Sequence, residues 1–400
     1  MKMRRIGDLT KPISSWTPQS DQDGADFTYV DLGSIDQDLK EIVGPRRLPT
    51  ADAPSRARQI IHEDDVLVST VRPNLNGVAR VSGNLDEATA STGFSVLRPT
   101  DELVSAYLFH WVRSPEFVAD MSLKSTGQSY PAVSDRIIKN SLIPVPSVRE
   151  QQRIASALDA VDSLRVKRRK AIALLDELAQ SIFLDMFGDP LQNPFDWPEV
   201  RFGDLLESSP QNGLSPSKAG SVEAKVLTLS AITGDRFDSN SWKTSTFKVV
   251  PPPAKSVRSS GFLVCRGNGN INLVGRGYFP VFDMPEVTFP DTMFSVSPSR
   301  RLMREYLQFI WSSKLVRNQI ESLSRTTNGT FKINQQALTS VMVLVPPVDL
   351  QREFDKKVIA VNQVRRQYEA HLAELDALFA SLQYRAFRGE LWAEEIAPVA

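Results

Sequence analysis

Residues Pro146–Gly188, PSVREQQRIASALDAVDSLRVKRRKAIALLDELAQSIFLDMFG, occur twice in this chain. A shift of 200 positions carries Pro146, Val148, Gln151, Ala160, Val161, Arg165, Leu175, Asp176, Leu178, Ser181 and Phe187 onto Pro346, Val348, Gln351, Ala360, Val361, Arg365, Leu375, Asp376, Leu378, Ser381 and Phe387. One gapless offset over a whole segment reads as a duplicated structural unit. Both copies step by four and three through Ile154, Leu158, Val161, Arg165, Arg168, Ile172, Leu175, Ala179, Ile182 and Met186, and through Phe354, Val358, Val361, Arg365, Tyr368, Leu372, Leu375, Phe379, Leu382 and Ala386. That spacing is a coiled-coil seam, with Leu158, Val161, Ile172, Leu175, Ile182, Val358, Val361, Leu372, Leu375 and Leu382 as its apolar positions. A proline lead-in precedes each run and none interrupts it, so each predicts one helix of roughly 40 residues, a rod of about 60 Å. Two such rods in one chain can pair with each other. The competing reading lays each helix on its own domain's core, but Arg165 and Arg365 share one seam slot, where a globular core disfavours charge.

Four hundred residues suggest two to three domains with ample chain for real cores. A hydrophobic share of 41% with mixed charges describes a globular chain. No apolar run reaches the roughly 18 residues of a membrane span, and the basic start Met1-Lys2-Met3-Arg4-Arg5 has no apolar region after it, so a cytoplasmic location with no membrane partner is expected. The single cysteine, Cys265, excludes internal disulfides and a cysteine-based metal cluster. The formal net charge of +0 argues against indiscriminate nucleic-acid binding. It hides an asymmetry: residues 1–146 carry 16 Lys and Arg against 19 Asp and Glu, residues 190–346 carry 17 against 12. Any DNA contact therefore needs local basic faces or a partner.

The segments between the rods are related more loosely. Arg5-Ile6-Gly7-Asp8-Leu9 reappears as Arg201-Phe202-Gly203-Asp204-Leu205, and Asn74, Asn76, Val78 and Arg80 match Asn270, Asn272, Val274 and Arg276, all at an offset of 196. Thr92, Phe94-Ser95-Val96 and Trp111 match Thr292, Phe294-Ser295-Val296 and Trp311 at 200, so a small indel separates the registers. Residues 10–60 and 206–258 look unrelated. Asp65–Thr70 and Gly261–Cys265 read as strands, and Ala106–Phe117 and Glu305–Ile320 have helical spacing. The linker Asp189–Pro198, with Pro190, Pro194 and Pro198, ends the first rod. The expected fold is mixed α/β (α+β): a globular domain over 1–146, a helix over 147–189, a second globular domain over 190–346, a second helix over 347–391, and a patternless tail over 392–400. The two helices are expected to form an antiparallel coiled coil with an internal pseudo-twofold repeat.

Ile143-Pro144-Val145-Pro146-Ser147-Val148-Arg149-Glu150-Gln151-Gln152-Arg153-Ile154 is similar to a Pro-Pro-Leu-x-Glu-Gln-x-x-Ile lead into a long helix, and it stands twice. The second copy, Leu344-Val345-Pro346-Pro347-Val348-Asp349-Leu350-Gln351-Arg352-Glu353-Phe354, loses the glutamate before the glutamine and ends in Phe. With the join Ile182-Phe183-Leu184-Asp185-Met186-Phe187-Gly188-Asp189-Pro190, Trp197 and Gly203-Asp204-Leu205, this arrangement resembles the specificity (S) subunit of Type I restriction-modification systems over nearly the whole chain. The resemblance implies two target recognition domains, each reading one half of a bipartite, asymmetric site on double-stranded DNA. It also implies two modification subunits that bring S-adenosylmethionine, and restriction subunits that bring ATP-driven, Mg-dependent chemistry. No cofactor is expected on this chain itself. A domain of about 150 residues has a radius of gyration near 15 Å, so two fit along a rod of about 60 Å, and one face of a duplex recurs every 34 Å or so.

Catalytic signatures are weak. Asn193-Pro194-Phe195-Asp196 lacks the second proline of the Asn-Pro-Pro-Phe loop of amino-methyltransferases and sits in a linker, where it reads as a turn. Gly267-Asn268-Gly269-Asn270-Ile271-Asn272 begins like a dinucleotide loop, but Asn272 stands where the third glycine belongs. There is no phosphate-loop motif, Glu223-Ala224-Lys225 is half a nuclease motif without a metal-binding acid set, and His62, His110 and His371 are dispersed and read as structural. No catalytic or metal-ligating residue is assigned. A fused methyltransferase or nuclease is thereby disfavoured. A coiled-coil adaptor without DNA binding remains the other alternative.

Asn, Arg and Gln can bind adenine or guanine edges bidentately. The DNA-binding candidates are therefore Arg72, Asn74, Asn76 and Arg80 with Gln128, Ser129 and Tyr130 in the first half. In the second half they are Arg266, Asn268, Asn270, Asn272 and Arg276 with Asn328, Thr330 and Lys332. Positions that match between halves reading different sequences also fit scaffold or phosphate contacts. The basic run Arg165, Lys167, Arg168, Arg169 and Lys170 suits phosphates, solvent or a partner equally.

Overall fold

The structure, a computed structural model, describes residues 1–20, 25–127, 129–217, 219–327 and 329–391. The tail at 392–400 lies outside them. The chain forms two compact units. One is Met1–Ala171 with the chain from Tyr368 onward, and the other is Ile172–Gln367.

In the first unit the continuous apolar run at Val66–Ser69 forms the inner strand of a sheet ordered Thr10–Lys11, Phe94–Pro99, Val66–Ser69, Val78–Arg80. Alternation sends its side chains to opposite faces. Val66, Val68, Val78 and Leu97 enter one core with the helices, while Leu67, Ala79, Phe94 and Val96 enter a second core. A strand buried on both faces needs no polar alternation, which is why this stretch reads as uninterrupted hydrophobicity. Val30 and Ala90 of a second sheet, ordered Arg46–Pro49, Asp26–Val30, Thr89–Ser91, Ala57–Ile60, join that second core. Lys2–Arg5 pairs antiparallel with Leu142–Val145, fastening the start of the domain beside the foot of the first long helix.

The second unit repeats this plan. Its inner sheet runs Gln211–Asn212, Met293–Val296, Phe262–Cys265, Gly277–Tyr278, and its other sheet Trp242–Phe247, Val222–Leu227, Met284–Thr288, Ser256–Val257. In both units the only parallel pairing within these sheets, among the described residues, joins the two central strands of the second sheet. Phe262 and Val264 face the helical core, and Leu263 and Cys265 face the other, so Cys265 is a core residue. The stretches 10–60 and 206–258, unrelated in sequence, thus carry the same strand order. Glu199–Arg201 pairs with Met342–Leu344 as the first unit's ends do.

Each stretch read as one helix before the rods is two. Ser105–Val112 stops before Ser114-Pro115, where Ser114 Oγ accepts from Phe117 N at 3.2 Å and starts Pro115–Lys124. Arg304–Ser312 and Lys314–Leu323 divide at Ser313, whose backbone is extended.

The long helices span Val148–Phe187 and Val348–Arg388. Gly188 (φ 75°) and Gly389 (φ 78°) terminate them in the left-handed region, and a Cβ on Gly188 would come within 2.3 Å of Pro194. At the foot of each helix the duplicated glutamine is wholly buried. Gln151 Oε1 accepts from Val104 N at 2.9 Å, while its Nε2 donates to Glu102 O and Pro146 O. Gln351 Oε1 accepts from Met303 N at 2.8 Å, while its Nε2 donates to Arg301 O and Pro346 O. Tyr107 and Tyr306 repeat the same logic, each donating its hydroxyl to the carbonyl of Pro144 or Leu344 at 2.8 Å.

Heptad residues of both helices belong to the globular cores. Leu158 and Val161 are buried in the first unit's globular core together with Phe379, Ala386 and Phe387, and Leu375 and Leu382 pack against it. Val358 lies in the second unit's core with Phe183 and Phe187, against which Ile182 packs. Ile172, Val361 and Leu372 are half-buried. The N-terminal half of each helix therefore lies on the core of the domain that precedes it, as the competing reading had it, whereas Phe183 and Phe187 of the first helix and Phe379, Ala386 and Phe387 of the second enter the core of the other unit. The charged slot is also accounted for: Arg165 Nε donates to Asp376 in one unit, and Arg365 Nη1 donates to Asp176 at 2.9 Å in the other.

Candidate nucleic-acid interface

Chain reversals bring the candidate loops together in pairs. In the first unit Val71 and Thr126 both bridge to Ala132, Arg72 N donates to Pro131 O at 2.7 Å, and Val133 N donates to Thr70 O at 2.8 Å. The loop at Arg72–Asn76 therefore lies against Ser129 and Tyr130, both exposed. In the second unit Gly267–Asn268 pairs with Thr330–Lys332, which pairs with Arg325–Thr327. Gln128 and Asn328 lie outside the described residues.

The side chains of these loops divide by what they already bind. Asn76, left-handed at φ 48°, donates Nδ2 to Val112 O at 2.9 Å. Asn268 Oδ1 accepts from Asn270 N, and Asn270 Oδ1 from Asn272 N, so these two asparagines shape their own turn. Arg276 donates to the carbonyls of Thr233 and Gly234. Arg266, partly buried, donates to Asp291 O and lies over the Phe294 ring. Arg80 faces Asp64 at 3.9 Å. Asn74, Asn272 and Lys332 are exposed, Thr330 is half-buried, and none of the four has a side-chain hydrogen bond among the described residues.

Arg72 is different. Its backbone is left-handed (φ 50°, ψ 62°), a conformation costing a non-glycine residue about 1–2 kcal/mol, and its guanidinium lies 4.9 Å from the ring centre of Tyr130. A cleft of about 290 Å³ opens beside it, lined by Leu32, Ile35, Gln37, Ser69, Phe94 and Tyr130 among others. Leu32, Ile35 and Gln37 come from a stretch some forty residues upstream, and sequence reading missed them. So did it miss Lys40, whose Nζ donates to Asn76 O at 2.6 Å. Burial, aided by the nearby Arg113 charge, pushes the Lys40 ammonium down to about 8. No local motif marks these positions; only the antiparallel ribbon Ile35–Asp36 with Glu41–Ile42 carries them there.

A second polar cluster ties the first globular domain to the first long helix. His110, fully buried, is hydrogen-bonded to Asp159 across 2.8 Å, and Arg113 grips Asp162 with both terminal nitrogens. Burial holds the His110 imidazole below its ordinary range against the pull of Asp159. Burial would raise Asp162, but the Arg113 hydrogen bond and charge, with Arg165 beyond, carry it below the usual carboxylate range. This cluster reads as a structural joint between the first globular domain and the first long helix. Among the described residues no group of His, Cys, Asp and Glu is arranged to hold a metal ion, and no helix is long and apolar enough to cross a membrane. The Asn193 loop is a turn: its side chain accepts from Trp197 N and donates to Trp197 O, both at 2.9 Å.

The Type I restriction modification DNA specificity domain matches residues 3–174. The specificity subunit of the Type I restriction enzyme EcoKI of Escherichia coli (strain K12) is 24% identical over 318 residues, 75% of this chain and 68% of that one. A solved chain from work on complex assembly and conformational transition of the type I R-M system is 25% identical, with 98% of each chain covered and a TM-score of 0.56. The S subunit of the Type-I restriction-modification system from M. genitalium, 15% identical, shares the fold over 96% of each chain at a TM-score of 0.55. Residues 3–174 thus carry the Type I restriction modification DNA specificity domain, and the chain is similar over most of its length to specificity subunits of Type I restriction enzymes.

Proposed function

We propose that this chain reads a bipartite, asymmetric site on double-stranded DNA and holds the catalytic subunits that act there. Residues 1–146 and 190–346 are the two target recognition domains, and the paired loops at 72–76 with 129–130 and at 266–272 with 330–332 are the surfaces presented to DNA. The observation that carries this reading is the combination of one strand order and one glutamine joint in both units with loops of different chemistry. A shared scaffold with divergent tips suits two half-sites of different sequence.

The long helices over 147–189 and 347–391 form an antiparallel coiled coil with pseudo-twofold symmetry. Supporting this, the duplicated residues pair reciprocally, Arg165 with Asp376 and Arg365 with Asp176. That reciprocity is what a twofold requires of an interface made by two copies of one sequence. Two modification subunits dock on the helices, where exposed Leu164, Leu174, Leu178 and Leu378 offer apolar surface, and restriction subunits join the same assembly. S-adenosylmethionine, ATP and Mg are bound by those partners and none by this chain. The assembly works in the cytoplasm.

The test is reconstitution with the modification subunits. A salt-dependent gel shift on a duplex carrying the methylated motif, absent on a scrambled duplex, is the expected result. Equal binding to both duplexes would leave only a non-specific or adaptor role. Methyl transfer by the isolated chain supplied with S-adenosylmethionine would make it an enzyme instead.

A further inference from the structure

Among the arginines of the candidate loops, Arg276 and Arg266 are committed to backbone carbonyls and Arg80 faces a carboxylate. The guanidinium of Arg72 has no hydrogen-bond acceptor among the described residues. It lies over the ring of Tyr130, a residue 70% exposed. The backbone on both sides of this pair is held by the fold. Arg72 N donates to Pro131 O, Arg72 O accepts from Leu75 N at 2.9 Å, and Pro73 follows directly. Its left-handed backbone breaks from the extended course of the preceding strand, and the bridges to Ala132 hold the chain on either side of Tyr130 in register.

This geometry favours a base edge over a phosphate. A backbone phosphate is gripped by free amide N–H groups and several cations. Here the amides of Arg72, Leu75 and Asn76 are already bonded to the carbonyls of Pro131, Arg72 and Pro73, and Pro73 has no N–H. What Arg72 itself offers is one planar fork of N–H donors, with an aromatic ring over one face. Guanine O6 and N7 in the major groove accept such a fork bidentately. A guanidinium held by stacking keeps its donors in one plane and loses little freedom on binding.

We propose that Arg72, held by Tyr130, reads a guanine in the half-site recognised by the first domain. This rests on the reading of the chain as a specificity subunit and names one base-determining residue within it. Tyr130 is a positioning residue that acts through Arg72.

The experiment compares wild type, Arg72→Ala, Arg72→Lys, Tyr130→Phe and Tyr130→Ala in the complete modification complex. Its readouts are the methylated motif by methylome sequencing and the salt dependence of duplex binding. Arg72→Ala is expected to relax one G·C position in one half-site, with discrimination there falling roughly 10- to 100-fold and the other half-site unchanged. Arg72→Lys keeps the charge but loses the fork, so it should relax the same position; Tyr130→Ala should do so partially and Tyr130→Phe should retain the motif. A uniform loss of affinity, with the salt slope reduced by about one and the motif intact, would mark a phosphate contact and overturn the proposal. Should Arg72→Ala abolish binding altogether, Arg72→Lys decides: a relaxed position supports the proposal and an unchanged motif overturns it. A wild-type complex without any bipartite motif would instead remove the specificity-subunit reading itself.

Discussion

Gln151 and Gln351 show how one residue fixes the join of domain to rod. Each side chain is wholly buried and caps three backbone groups that no sheet or helix satisfies. Replacing Gln151 by Leu leaves those groups unpaired, so a loss of about 1–3 kcal/mol is expected in urea unfolding of the full chain, and likewise for Gln351→Leu. A neutral result for both would mean that water enters the joint. His110 adds a pH dependence. Its imidazole is held below its ordinary value by burial, with Asp159, Arg113 and Asp162 facing it. A histidine kept neutral in the folded state contributes stability above its unfolded pKa of about 6.5, and that contribution is lost as pH falls through the lower folded value. The melting temperature should therefore drop as the pH falls below about 6.5, and His110→Phe should flatten that drop. Asp162, also depressed, acts later: its share is present above about pH 4 and disappears only below it.

At the scale of the element, the reciprocal ion pairs test how the long helices associate. Arg165, 14% exposed, meets Asp376, 41% exposed, together with Arg169, whereas Arg365, 22% exposed, meets Asp176, 53% exposed. Solvent screens the second pair more, so double-mutant cycles should give about 1 kcal/mol for Arg165 with Asp376 and under about 0.5 kcal/mol for Arg365 with Asp176. Equal values in the two cycles would show that burial does not set their strength. The heptad that marks these helices was legible because its period survives substitution. What periodicity could not tell is that Leu158, Val161 and Val358 belong to globular cores. An apolar stripe records that a face is covered but not what covers it.

At the scale of the molecule, both long helices contribute residues to both units. Removing seven residues from each, over 166–172 and 366–372, takes about 10 Å of helix and keeps the seam in phase. The proposed spacer between half-sites should then shorten by roughly three base pairs while both half-site sequences persist, as read by methylome sequencing. A changed half-site with an unchanged spacer would show that the helices do not measure the distance.

The sequence by itself determined the duplication, the two long helices and their ends, the buried strands at 66–69 and 262–265, and the place of the candidate loops. These are local properties: a period, a proline, a glycine, an apolar run. Only the tertiary structure decided the rest. It showed that 10–60 and 206–258 share one strand order, which sequence comparison misses because many apolar residues fill the same alternating positions. It paired loops more than fifty residues apart and set Leu32, Gln37 and Lys40 beside Arg72 and Asn76. It also separated asparagines that shape their own turns from an arginine stacked on Tyr130, because what a polar side chain can offer a ligand depends on which hydrogen bonds the fold has already claimed.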